Sequence, residues 1–314
     1  MPDAGRTHGS GVPVRSAPVE TPVRRPLVVA AATGAALALL AGVFSVVVAS
    51  SGTAALAHPD PLTVWSDEFD GPAGSLPNPA NWTFQLGAGG WGNHELQTYT
   101  DTNARLDGDS HLVITAAIGT GADGRPSYTS SRLTTAGKVT VQYGTLEARI
   151  RLPDGRGLLP AFWLLGDTVD TVGWPAAGEI DVVETPGSTA RSAHHLHAAA
   201  TTDRSADRSL SADVAHSPAL SGDFHLYSVE REPGRVTIRV DGRAVLSATP
   251  DTAPADLAWA FDGPFQVLLD VAIGGDWPGA PDATTPAISQ LIVDWVRLTP
   301  DPGGANLSVR PDTP

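Results

Sequence analysis

Three carboxylates fall within six residues of an apolar run, Gly178-Glu179-Ile180-Asp181-Val182-Val183-Glu184. The intervening Ile and Val favour a strand. Acids set among such residues lose hydration, so they need either partners or a task. In a regular strand the side chains at i and i+2 share a face, which groups Glu179 with Asp181 and turns Glu184 away. One extra residue at Val182-Val183, a β-bulge, returns Glu184 to the first face. Three acids on one wall suit nucleophilic and general acid/base attack on a glycosidic bond. The competing reading is a solvated edge strand, which the Ile and Val between the acids disfavour.

A β-rich frame has to hold that wall. The 314 residues are 17% charged and 41% hydrophobic, with 33 Gly and 27 Pro, as in a turn-rich globular chain. There are no cysteines, so a large core must replace disulfides and thiolate metal sites are excluded. From Thr63 to Thr299 there is no linker and no internal repeat. Short runs such as Leu112–Thr115, Gly144–Arg151, Val236–Val240 and Phe265–Ile273 alternate with Gly, Pro, Asp and Asn clusters. Asp241-Gly242 reads as a hairpin turn. The expected fold is all-β, a sandwich of two antiparallel sheets with a concave cleft.

The ends read differently. Arg24-Arg25 precede an apolar run from Leu27 to Ala49, followed by small residues ending Ala55-Leu56-Ala57. That pattern fits a secretory signal over residues 1–57. The run is also long enough to span a bilayer, so an uncleaved anchor with the body outside is the alternative. The catalytic domain would then cover 58–301, with a flexible Pro/Gly-rich tail over 302–314. The chain carries a formal charge of −14, and loss of residues 1–57 would make it more acidic, which argues against nucleic acid and anionic lipid and suits a neutral substrate.

Trp91, Trp163 and Trp174 are candidate sugar platforms, because an indole face covers the apolar face of a pyranose. Core packing is the alternative for each. Trp277 is placed to reach the cleft rim. His194, His195 and His197 admit a metal reading, since i and i+2 share a strand face, but no nearby carboxylate completes it.

The flanks carry a resemblance. In order along the chain come Trp65-Ser66-Asp67-Glu68-Phe69-Asp70-Gly71, Gly90-Trp91-Gly92-Asn93-His94-Glu95-Leu96-Gln97, Ser131-Arg132 and Tyr143–Arg149. Leu158–Gly166, Gly173-Trp174-Pro175, the acidic motif, Phe224–Tyr227, Gly274–Gly279 and Val293–Arg297 follow. Together they resemble glycoside hydrolase family 16, and most closely its bacterial endo-β-1,3-glucanases, the laminarinases. The likeness covers nearly all of residues 63–299.

The resemblance implies a β-jelly roll and a retaining mechanism on a β-glucan polysaccharide such as laminarin. Glu179 would be the nucleophile, Glu184 the general acid/base and Asp181 the residue that tunes the nucleophile. Asn93 and Arg132 match positions that bind sugar hydroxyls, against turn chemistry and a surface ion pair. His197 matches a histidine facing the leaving group, with a surface or core histidine as the alternative. No cofactor is implied for catalysis, and the chain is expected to be a monomer without a protein partner. A structural Ca²⁺ is implied, held by carbonyls of Glu68 and the Gly108–Ser110 turn and by the Asp294 carboxylate, which otherwise caps a strand. Leu159, Ala198, Arg231, Ser110, Asp270 and Asp276 depart from the usual pattern and leave subsites and linkage preference open. Mixed-linkage hydrolysis, transglycosylation, a non-catalytic glucan-binding module and a lectin-like sandwich are the rival readings.

Overall fold

A computed structural model describes residues 63–300 and a strand at 307–309; the leader expected over 1–57 lies outside the described residues. Nineteen strands are present among the described residues. They begin with β1 (Trp65–Asp67), β2 (Thr83–Gln85), β3 (Thr98–Tyr99), β4 (Ala104–Leu106), β5 (Leu112–Thr120) and β6 (Pro126–Ser130). Next are β7 (Arg132–Thr134), β8 (Val139–Val141), β9 (Gly144–Arg151), β10 (Leu158–Gly166), β11 (Glu179–Glu184) and β12 (Arg191–Ala199). The series ends with β13 (Asp207–Ala215), β14 (His225–Glu232), β15 (Arg235–Val240), β16 (Arg243–Ala248), β17 (Phe265–Ile273), β18 (Ile288–Thr299) and β19 (Leu307–Val309). Among the described residues helix is confined to the turn Val169–Val172 and a 3₁₀ turn, Leu220–Gly222. No helix of the described residues is long and apolar enough to cross a membrane.

The strands form two sheets. One runs β16-β15-β14-β9-β18-β5-β6-β3, with β1 on β18 and β4 on β5. The other runs β13-β12-β11-β10-β17-β7-β2, with β8 on β17 and β19 on β8. Pairing is antiparallel except between β3 and β6. The expected two-sheet all-β fold is what forms. The Asp241-Gly242 turn between β15 and β16 has positive φ at both residues, 49° and 75°, the twist that a tight hairpin needs.

The faces follow strand alternation. Phe162 and Leu164 of β10, Ile180 of β11 and Val267 and Leu269 of β17 point inward. They meet Leu146 and Ile150 of β9 and Leu291 and Val293 of β18 in one buried cluster. Each such side chain contributes about 1.5–3 kcal/mol of hydrophobic stabilisation, which lets the fold dispense with disulfides. On the outer face of β10 and β17, Ala161, Trp163, Leu165 and Leu268 form a second, smaller cluster. Both strands are therefore buried on both sides, and every residue of each is covered.

Two local features differ from expectation. Residues 307–309, within the expected flexible tail, pair with the open edge of β8, which otherwise meets its sheet at a single residue pair. Arg231, where the resemblance leads one to expect Trp, is wholly buried yet well used. Its guanidinium lies 4.7 Å from the Phe265 ring and donates to the carbonyls of Val141, Phe261 and Gly263. Arg231→Ala would orphan those carbonyls, at about 1–3 kcal/mol for each buried group. We expect urea unfolding to show a loss of roughly 3–5 kcal/mol.

Candidate active site

The catalytic wall is built by the register of β11. Against β10 the pairs run Leu165↔Glu179, Leu164↔Ile180 and Trp163↔Asp181, then step to Phe162↔Val183 and Ala161↔Glu184. Val182 is the extra residue. Against β12 the same step separates Asp181↔His195 from Glu184↔Ala193. Val182 and Val183 are both fully buried in the inter-sheet core. Glu179, Asp181 and Glu184 consequently share the outer face, where all three line an open cleft of about 660 Å³.

A bulge breaks the ladder, and here a side chain takes up what it frees. The Val182 carbonyl lies 2.7 Å from His194 Nδ1. A carbonyl only accepts, so Nδ1 carries the hydrogen. His194 Nε2 then accepts from Ser192 Oγ at 2.8 Å, and Ser192 Oγ accepts from His216 Nε2 at 2.7 Å. Burial pulls His194 down to about 4, which keeps the ring neutral. The three neighbouring histidines thus have separate placements. His194 turns to the core and clamps the bulge, while His195 and His197 line the cleft.

The acids are electrostatically crowded. Asp181 is 3% exposed, and burial followed by the charges of Glu184 and Glu179 pushes its carboxyl well up. Burial and the neighbouring Glu184 raise Glu179 to about 8. Arg132 and a hydrogen bond from Trp174 oppose that shift and favour the ionised carboxylate. Glu179 and Asp181 thus both hold their protons more tightly than free carboxyls, and the two titrate together. A protonated Asp181 becomes a hydrogen-bond donor, the property needed to hold a charged neighbour. Glu184 Oε2 lies 3.1 Å from His195 Nδ1, and His197 is anchored through Nδ1 to Asp207 at 2.9 Å.

Every residue expected to bind substrate lines this cleft: Trp91, Asn93, Arg132, Trp163, Trp174, His197 and Trp277. Arg132 is not in a surface ion pair. Its guanidinium sits 5.1 Å from the Trp91 ring and 4.5 Å from the Trp163 ring, and Nε donates to Gln85 Oε1 at 2.6 Å. Trp163 is both core and floor, being 8% exposed with Nε1 donating to Asp270 at 2.8 Å. Trp174 and Trp277 stand at the rim, 49% and 45% exposed, beside His197 and His195 respectively. The Asn93 carbonyl accepts from the Asp276 amide, and a Cβ at Gly275 (φ 110°) would lie 2.7 Å from Asn93 Nδ2. The two loops therefore close on each other at a glycine.

Sequence reasoning gave no role to Glu95, Tyr99 or Asp270, and considered His195 only for a metal. Asp270 accepts from Tyr99 at 2.9 Å as well as from Trp163. Glu95 accepts from Gln97 Nε2 at 2.6 Å, and burial and the nearby Asp270 raise it to about 7. Asp270 carried the signal that revealed β11, an acid inside an apolar strand.

The residues proposed for calcium gather at one end of the β1/β18/β5 group, since β1 and β5 both pair with β18. Of the expected donors, the Asp294 carboxylate is bound to Arg149, while Glu68 and the Gly108–Ser110 turn are expected to offer backbone carbonyls and leave their side chains to Arg297, at 2.9 and 2.7 Å, and to Asp70, at 2.8 Å. A cation there would take its carboxylate from the Arg149 pair, and no chemistry is derived through one.

A two-sheet β-sandwich with three carboxylates gathered by a bulged strand on its cleft face is the arrangement of a retaining glycoside hydrolase. Residues 90–297 match the model of glycosyl hydrolases family 16, and the chain belongs to that family. It is 38% identical over 253 residues to a beta-glucanase of Rhodothermus marinus, covering 75% of this chain and 84% of that one. A glucan endo-1,3-beta-glucosidase of Cryptopygus antarcticus is 34% identical over 242 residues, 72% of this chain and 85% of that one. The laminarinase catalytic domain of Thermotoga maritima MSB8 superposes with a TM-score of 0.68 at 38% identity, covering 76% of this chain and 98% of that chain.

Two outcomes follow for the site. His194→Ala would free the Val182 carbonyl; we expect kcat to fall about 10–100-fold with KM little changed, and His194→Gln, which keeps a donor, to recover part of it. Glu95 holds its proton in the folded state to about pH 7 but releases it near 4.5 when unfolded. Its contribution is full below pH 4.5 and is lost as pH rises to 7, on the order of 3 kcal/mol. Urea midpoints across pH 4–8 should decline less in Glu95→Gln than in wild type.

Proposed function

We propose that this protein is a retaining endo-β-1,3-glucanase acting on laminarin-type β-glucans. The observation that carries the reading is the Val182 bulge, which sets Glu179 and Glu184 on one wall of a tryptophan-lined cleft. Glu184 protonates the departing glycosidic oxygen while the Glu179 carboxylate attacks the anomeric carbon. Asp181 steadies the charge on Glu179, with Arg132 and Trp174 on its other sides. In the second half Glu184 takes a proton from water, which releases the glycosyl-enzyme with net retention. Trp174 and Trp277 at the rim offer faces for sugar rings on either side of the acids.

The names of the relatives support β-1,3 linkages, and the intact Glu179/Asp181/Glu184 set disfavours a binding-only module. We further propose that the protein acts outside the cell as a monomer, exported by the signal pattern of residues 1–57. Calcium enters as a secondary proposal: Ca²⁺ would have to draw Asp294 away from Arg149. A chelator-induced fall in Tm together with one bound Ca²⁺ by metal analysis would support it.

The test is release of reducing ends from laminarin, lichenan and carboxymethylcellulose. We expect laminarin to be the best substrate, the β-anomer to appear first by NMR, and Glu179→Gln to lose about 10³-fold or more. Preference for lichenan would shift the reading to mixed linkages. Absence of release from all three glucans would remove it.

A further inference from the structure

Asp181, His195 and His197 offer one ligand atom each, and these atoms lie within 4.8 Å of one another. Asp181 Oδ2 is 3.6 Å from His197 Nε2 and 3.9 Å from His195 Nδ1. A tetrahedral Zn²⁺ with bonds of about 2.0–2.1 Å holds its ligands roughly 3.3 Å apart, so the Asp181 pairs must close by about 0.3–0.6 Å and the imidazole pair by up to about 1.5 Å. Three further observations point to a cation. Asp181 Oδ2 is buried and has no hydrogen-bond partner among the described residues, although it faces both imidazoles. His197 Nδ1 is fixed on Asp207 at 2.9 Å, which turns the Nε2 lone pair toward Asp181, the carboxylate–histidine–metal orientation. Glu184 Oε2, 3.1 Å from His195 Nδ1, borders the group on the cleft side and leaves the fourth position to water.

We infer that Asp181, His195 and His197 form a Zn²⁺ site that switches the cleft off. The site offers a borderline ion two imidazoles and one carboxylate, which hard Mg²⁺ and Ca²⁺ match poorly. A dication would also relieve the repulsion among the three crowded acids. An ion held on Asp181, His195 and His197 lies in the cleft beside Glu179 and Glu184, takes Asp181 out of the acid set and bars a sugar from reaching it. Inhibition therefore rests on the proposed hydrolase reading, whereas binding does not.

The experiment uses the full chain without a polyhistidine tag. Zn²⁺ binding is followed by calorimetry, Co²⁺ substitution by its visible spectrum, and laminarin hydrolysis with and without Zn²⁺ and EDTA. We expect one ion per chain, the intense bands of four-coordinate Co²⁺, and loss of hydrolysis that EDTA reverses. His197→Gln should weaken Zn²⁺ binding about tenfold or more. His195→Gln is the second variant should His197→Gln not fold, and His111→Gln, altering a surface His–Asp pair, should bind as wild type. No saturable binding by about 100 μM Zn²⁺, affinity unmoved by both cleft variants, or binding that leaves hydrolysis intact would overturn the inference. If the metal-free protein cleaves no glucan, the hydrolase reading fails, and calorimetry and the Co²⁺ spectrum still decide the site.

Discussion

Val182 and Val183 both point into the core, and that pair of buried side chains fixes the direction of Glu184. A regular strand would bury the acid and expose a valine. The hydrophobic drive on two adjacent residues thus forces the backbone irregularity, and the irregularity in turn collects the acids. What the bulge loses in ladder pairing is returned by His194, whose neutral ring reaches the freed carbonyl from beneath the sheet. Core packing and catalytic geometry are here the same constraint seen from two faces of one strand.

The cleft's electrostatics follow from placing those acids on a sheet buried on both sides. Glu95, Glu179, Asp181, Glu184 and Asp270 all line it, and Arg132 is the only arginine or lysine among the lining residues. Held between two indoles, Arg132 cannot swing onto any single carboxylate. Proton affinity across the set is therefore governed by burial and mutual repulsion, and small changes at one acid are felt by its neighbours.

Much of this was legible in the sequence because it depends on local alternation. The acids among Ile and Val, the six-residue spacing and the Asp-Gly hairpin each encode a geometry that needs no knowledge of distant residues. The role of His194 was not legible, since it depends on which side of β12 faces the bulge. Glu95 and Asp270 gain their environment from segments far apart in sequence, brought together by Tyr99 and by Gln97, which also holds β17 at Ile273. Arg231 stands where an aromatic was expected, yet its guanidinium stacks on Phe265 and satisfies three carbonyls, so a charge does the work of a ring. The β8 edge accepted a strand from the expected tail because an unpaired edge selects for any alternating segment that reaches it.

The double burial of β10 and β17 has a consequence for how this molecule fails. Their amides lie in the middle of a sheet, covered by core on one side and by the cleft floor on the other, and such amides exchange with solvent only when the whole domain opens. The walls that carry the acids hang directly on these strands. Partial unfolding that spares the fold but spoils the cleft is then confined to the rim loops, while loss of the acid set coincides with global melting. Residual activity after heating consequently counts the folded fraction itself, and inactivation and denaturation curves share one midpoint.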